Sequence, residues 1–334
     1  MNYNTIKLDK TMYKGEGGFS RQLEQLDPSS GYGGTDLAGL DAFQRQLKRF
    51  DIKVSGSGSD VIAKFFQLSD SAALFPEYVA RAVAQGAEYN NILDQLLAAK
   101  TDVNSMDYRS IVTDLDSADY GAAIAEGGVI PETNIVLSES LVKLVKRGRM
   151  LRTSYEAIKF QRIDVVTVAL SQIGANIRKS QLADAIKTLA DGDGSGVPAA
   201  EAIATAGDTL AYADLLKLWS RFDDFEMNLL LASPDMMLDM LSISEFKDPA
   251  AGLNFQATGT LQTPMGATLL KSNAVPAGRI IALDKRFALE MVTVGGITVE
   301  YDKLIDTQLE RAAITSISGF SKIFPDAVKV LERK

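Results

Sequence analysis

Between Thr153 and Leu189 the apolar residues Val166, Leu170, Ile173, Ile177, Leu182, Ile186 and Leu189 recur in steps of three to five. That spacing is one face of an α-helix. A single helix over 154–190 is about 55 Å long at 1.5 Å per residue, and no other stretch of the chain constrains its fold as strongly. Thr153 and Glu156 have the spacing of an N-terminal capping box. Gly174 inside the run costs about 1 kcal/mol against alanine and marks a bend or a close contact.

The run stops at DGDGSGVPAAEA, residues 191–202. Asp191, Asp193 and Ser195 fall on the first, third and fifth positions of a calcium-binding EF-hand loop, and Gly196 on the sixth. The template closes with a bidentate Glu in its last place, where this chain has Ala202, and Glu201 comes one residue early. Pro198 occupies the place of the small pairing strand. The stretch therefore reads as a Gly/Asp/Ser-rich turn that ends the long helix.

Upstream, residues 1–36 are polar and glycine-punctuated and read as an extended arm, ordered by contact with something else. LAGLDAFQRQLKRF, capped by Thr35 or Asp36, reads as a short amphipathic helix with Leu37, Leu40, Phe43, Leu47 and Phe50 on one side. LFPEYVARAVAQG reads as a helix with Pro76 in its first turn and Gly86 past its end. VNSMDYRSIVTDL and ETNIVLSESLVKLVKRGRMLR are strand-like. The second concentrates Lys143, Lys146, Arg147, Arg149 and Arg152, a solvated basic strand rather than a nucleic-acid patch.

Downstream, TLAYADLLKLWSRFDD reads as a helix with Trp219 and Phe222 in the core. GRIIALDKRFALEMVTVGGITVEYD reads as strands joined by a Gly295-Gly296 turn. RAAITSISGFSKIF reads as the last strand, with Ala313, Thr315 and Ile317 alternating. Helix and strand mix without βαβ regularity, so the fold class is α+β.

Cysteine and histidine are both absent. That excludes disulfides, thiol nucleophiles, His-based triads and the commonest zinc ligands. The net charge of −8 argues against nucleic-acid binding as the main task. The N-terminus has no apolar leader, and no run of 18 apolar residues occurs, so a soluble cytoplasmic product without a membrane span is expected. Asp223, Asp224 and Glu226 are neighbouring carboxylates that read as a solvated face. A calcium-dependent or carboxylate-based enzyme centred on 191–202 and 223–226 is the competing class, and it lacks a convergent pocket motif. No catalytic, cofactor or metal residue is assigned.

The order of these pieces resembles the major capsid proteins of tailed bacteriophages, whose fold is shared with encapsulins. The likeness rests on FPEYVARAV, LVKLVKRGRMLR, TSYEAIKF, the helix ending in ADGDGSG, and the closing P-x-A-V-x-V-L after the final strand, across about 36–331. It implies an N-terminal arm over 1–73 and the first part of a P-domain over 74–117. An E-loop flap over 118–152 would lie on a neighbouring subunit. A spine helix follows over 153–203, an A-domain over 204–284, and closing P-domain strands over 285–334.

The resemblance further implies a structural subunit that self-assembles through pentamers and hexamers into an icosahedral head around double-stranded DNA. An encapsulin-like nanocompartment shell is the alternative. Lys143, Lys146, Arg147, Arg149 and Arg152 become inter-subunit contact candidates. The implied partners are a separate scaffolding protein, a portal protein, DNA enclosed without sequence-specific binding and, as a further candidate, a decoration protein, with no cofactor and no membrane. The implied location is the virion, assembled in the host bacterial cytoplasm. Deletion of residues 1–36 is expected to leave a folded chain that assembles poorly.

Overall fold

A computed structural model describes residues 3–14, 18–88, 92–113, 135–192, 198–247, 261–304, 306 and 308–334. The chain begins with α1 (Gly18–Leu26), α2 (Ala42–Arg49), α3 (Ser69–Ala72), α4 (Phe75–Glu88) and α5 (Ile92–Leu96). Next come β1 (Ala99–Val103), β2 (Ile111–Thr113), β3 (Ile135–Leu137), β4 (Val145–Ser154), α6 (Tyr155–Phe160) and α7 (Ile163–Asp191). Then follow β5 (Glu201–Ala204), α8 (Tyr212–Trp219), β6 (Leu229–Ala232), α9 (Pro234–Ser242), α10 (Ser244–Lys247) and β7 (Thr268–Lys271). The chain closes with β8 (Arg279–Leu283), β9 (Leu289–Val294), β10 (Thr298–Leu304), β11 (Leu309–Lys322) and β12 (Val328–Glu332).

The fold is α+β, and it divides into two compact units: residues 1–90, 146–178 and 296–316, and residues 91–145, 179–295 and 317–334. The expected flap tip at 118–134 lies outside the described residues, as do Asp193, Ser195 and Gly196 of the turn and the stretch 248–260.

In the first unit the N-terminal residues are core, which corrects the reading of 1–36 as an arm ordered from outside. Leu8, Met12, Phe19, Leu23 and Tyr32 are buried, and the first four share a cluster with Phe43, Leu47, Phe65, Val79 and Leu170. Arg45 has no exposed surface. Its guanidinium donates to the Asp27 carboxylate at 2.6 Å and to the carbonyls of Asp27 and Leu40 at 2.5 Å, and it stacks on Tyr32. A cation this deep persists because each of its three nitrogens finds an acceptor, with Ser29 taking a further bond and Glu24 lying nearby. Helix α2 starts later than expected, capped by Asp41 with Gln44 closing the box, and not by Thr35 or Asp36.

Helix α4 runs through Gly86 instead of stopping before it. The reason is tertiary. A Cβ at Gly86 would sit 2.0 Å from the carbonyl oxygen of Ser171, and one at Gly174 would sit 1.9 Å from that of Val83. The two glycines let the backbones of α4 and α7 touch, and the close contact inferred at Gly174 is this crossing.

The expected continuous helix over 154–190 is broken. α6 ends at Phe160, and α7 starts at Ile163. Gln161 is extended, its carbonyl accepts from Ile62 N–H at 3.1 Å, and Ile163 N–H donates to the Asp60 carbonyl at 2.8 Å. The link pairs with 60–62 as a strand would, which outcompetes the helical ladder locally. The N-cap is Ser154, which accepts from Ala157 N–H, and not Thr153. The apolar face holds: Leu170 and Ile177 are core in the first unit, and Leu182, Ile186 and Leu189 in the second.

The second unit is built on a sheet in the order β5-β12-β8-β6-β7. Side chains alternate across it. Leu229, Leu231, Ile281 and Leu283 face a cluster containing Leu93, Ile186 and Leu189. Leu230, Ala232, Ile280 and Ala282 face one containing Leu215, Leu218 and Met236. Because both faces are covered, β6 reads as an unbroken apolar run. β12 lies inside this sheet, so RAAITSISGFSKIF is not the last strand.

β9 and β10 do not pair with each other across Gly295-Gly296. Each pairs antiparallel with β11. Along the first part of β11 the buried set is Glu310, Ala312, Ile314 and Ser316, opposite in parity to the expected Ala313, Thr315 and Ile317. Trp219, expected in the core, is 51% exposed; α8 turns Leu215 and Leu218 inward instead.

Candidate assembly surface

The five basic residues sit on or just before β4, which pairs with β11. Alternation along a strand puts Lys146 and Arg152 on one face and Arg147 and Arg149 on the other. Lys143, Lys146, Arg149 and Arg152 are exposed, while Arg147 is half-buried. Among the described residues no ion pair joins Lys143, Lys146, Arg149 or Arg152 to an acid, although the chain is acidic overall. Glycine permits the close approach of β4. A Cβ at Gly148 would lie 2.6 Å from the Ile314 carbonyl oxygen, and one at Gly319 would lie 2.6 Å from that of Lys143.

The stem before β4 leads to a small two-stranded ribbon. β2 and β3 pair antiparallel, Ile111 with Leu137 and Thr113 with Ile135. Val136 is 53% and Leu137 66% exposed, and Ile111 and Leu141 are exposed beside them. A two-stranded ribbon with bare apolar side chains is at best marginally stable alone in water.

The stem itself is firmly held. Ser138 N–H donates to the Ser110 carbonyl at 2.7 Å and Val142 N–H to the Tyr108 carbonyl at 2.8 Å. Arg109 reaches the Glu139 carbonyl at 2.6 Å. On the other side, Tyr108 Oη, Ser110 Oγ and Thr101 Oγ1 each donate to the carboxylate of Glu290 at 2.6 Å. Burial, followed by the bond to Glu290, pushes the Tyr108 hydroxyl pKa above its ordinary value. Glu290 was not singled out in the sequence: its partners lie 180 to 189 positions away, and no local pattern connects them.

Of the described residues weighed for catalysis, Asp191 and Glu226 are engaged in ion pairs. Asp191 pairs with Arg279 at 3.0 Å. The end of α7 is held by the buried Lys322, whose ammonium donates to the carbonyls of Leu189 and Pro198; a cation there suits the helix C-terminus. Glu226 pairs with Arg286, while Asp223 and Asp224 stay exposed.

Asp284 is fully buried. Burial alone would raise its pKa, but it accepts from Arg286, from Glu226 N–H and from Asn228, and these bonds hold it at about 2. That is a structural carboxylate, far from the poised value a general acid or base needs. A concavity of about 440 Å³ between α4 and α7, lined by Val54, Gln85, Thr167 and Val168, has Asp164 as its charged residue, and Asp164 is tied to Arg162 and Val165 N–H. Among the described residues no group of three or more acids is placed to hold a metal ion, and no helix is long and apolar enough to cross a membrane.

A family model described as phage capsid protein matches residues 137–320, just over half of the chain. No curated protein matches. Among solved structures, the chain is similar to a virus-like particle from Pyrococcus furiosus at 13% identity and a TM-score of 0.52, over 77% of this chain and 99% of that one. It is similar to the capsid of a native GTA particle at 14% identity and a TM-score of 0.53, over 74% and 90% of the two chains. The structure of Gordonia phage Cozz matches at 14% identity and a TM-score of 0.52, over 73% and 87%. At these identities the likeness is one of fold.

Proposed function

This chain belongs to the phage capsid protein family and has a structural role as a major capsid protein that self-associates into a shell; from that premise we propose that its copies close, through pentamers and hexamers, into the icosahedral head enclosing phage double-stranded DNA. The observation that carries this reading is the stem and two-stranded ribbon before β4. Ile111, Val136, Leu137 and Leu141 are exposed there, and the bases Lys143, Lys146, Arg149 and Arg152 form no ion pair among the described residues of their own chain. A neighbouring copy of an acidic protein supplies both the apolar cover and the opposite charge. Each exposed pair contributes about 0–1 kcal/mol, so the basic strand sets register more than strength.

On the same reading, 118–152 is the flap, and 1–73 is the counterpart of the arm, packed here into the core of its own first unit. Residues 74–117, 153–203 and 285–334 form the P-domain, and 204–284 the A-domain. The subunit has no catalytic role. It is assembled in the host cytoplasm with a separate scaffolding protein, meets a portal protein, encloses DNA without reading its sequence and takes a decoration protein as a candidate outer partner. The encapsulin-like alternative is less favoured, because the matching family model is that of phage capsids.

The test is negative-stain microscopy of the purified chain after size-exclusion chromatography, with and without candidate scaffold. Closed shells, or rings of five or six, are expected. Reversing Lys143, Lys146, Arg149 and Arg152 to Glu should leave a folded monomer that builds neither. A monomer under every condition would sink the reading.

A further inference from the structure

We propose that Glu290 is a positioning residue for assembly, fixing where the flap stem leaves the subunit; the inference rests on the flap reading above. β9 is buried along almost its whole length, with Leu289, Met291 and Val292 around Glu290, which is 5% exposed. Removing a carboxylate from water is costly unless several hydrogen bonds replace its hydration. An apolar residue of similar volume would hold β9 in its sheet without that cost. Sheet stability therefore does not account for a glutamate here, whereas its partners do.

Tyr108 and Ser110 lie beyond the end of β1, on the ascending stem. They are two residues apart, and both side chains point to Glu290, while Arg109 between them reaches across to the Ser138 and Glu139 carbonyls. The carbonyls of these same two residues accept the amides of Val142 and Ser138. The descending stem hangs on the ascending one, and the ascending one hangs on Glu290. Thr101 on the neighbouring β1 supplies one donor to Glu290, and the two stem hydroxyls of Tyr108 and Ser110, one on each carboxylate oxygen, define one register of the stem. A shift of the stem by one residue would turn Tyr108 and Ser110 away and leave the carboxylate buried without donors from the stem.

Hydrogen–deuterium exchange at the Ser138 and Val142 amides of the full-length chain tests this, comparing wild type, Glu290→Gln and the double variant Tyr108→Phe/Ser110→Ala. Losing hydrogen bonds to a charged group corresponds to about tenfold or more in a local opening equilibrium. Exchange at both amides should therefore rise at least about tenfold in each variant. Protection in β8 and β12 should stay at the wild-type level, and shells grown from either variant should be heterogeneous in size. Unchanged exchange at Ser138 and Val142 in the folded variants overturns the proposal. So does a loss of protection spread across β8 and β12 in the double variant, which leaves β9 intact and would mark a general structural role. If wild type builds no shells, the capsid-flap reading fails, while the exchange comparison still decides whether Glu290 holds the stem.

Discussion

Asp284 shows how one buried carboxylate is kept charged. It has no exposed surface, and Arg286, Asn228 and the backbone of Glu226 surround it with donors. Its folded pKa of about 2 lies below the ordinary aspartate value of 3.8. A carboxyl depressed on folding adds stability above its unfolded pKa and loses it as pH falls through the folded one. The shift corresponds to about 2 kcal/mol, present at neutral pH and lost between roughly pH 4 and 2. Asp284→Asn should flatten the acid limb of a melting-temperature profile in that window. A variant profile parallel to wild type would refute the assignment. The sequence shows Asp284, Arg286 and Glu226 as ordinary charges in polar stretches. Their convergence depends on β8 and the loop before β6 being neighbours, which no local pattern records.

At the scale of elements, local signals located α4, α7 and α8 well, and failed where a neighbour redirected the backbone. The α6–α7 break exists because residues 161–162 pair with 60–62, a partner a hundred positions away. The parity of β11 could not be chosen from RAAITSIS, since small and β-branched residues occupy both of its faces. Strands β9 and β10 are adjacent in sequence yet separated by β11, so a glycine pair suited to a tight hairpin serves as a plain connection. Gly86 was read as a helix end because glycine there usually is one, whereas here it is the point where α4 meets α7. Gly86→Ala should lower stability by about 1–3 kcal/mol through overpacking, read as a fall in melting temperature. An unchanged melt would show that the helix crossing tolerates a methyl group.

For the whole molecule, the burial of Leu8, Met12, Phe19, Leu23 and Tyr32 revises the expected effect of removing residues 1–36. Each buried side chain of this kind contributes about 1.5–3 kcal/mol, so together they rival the total stability of an ordinary domain, about 5–15 kcal/mol. The truncated chain should lose cooperative unfolding by circular dichroism and become sensitive to trypsin within the first unit. A sharp wild-type-like melt from it would restore the view of a detachable arm. What the sequence determined by itself was whatever local spacing encodes: the α+β class, the apolar face of α7 and its stop at residue 191, the basic strand, and the exclusion of cysteine and histidine chemistry. The ordered pieces carried the family resemblance, because helix, turn and strand signals survive without long-range information. Tertiary structure alone decided the Arg45 and Asp284 clusters, the glycine crossings, the parity of β11 and the Glu290 anchor. Each of these depends on backbones or charges meeting across tens to hundreds of residues, and burial gives such contacts their energy only once the fold has brought them together.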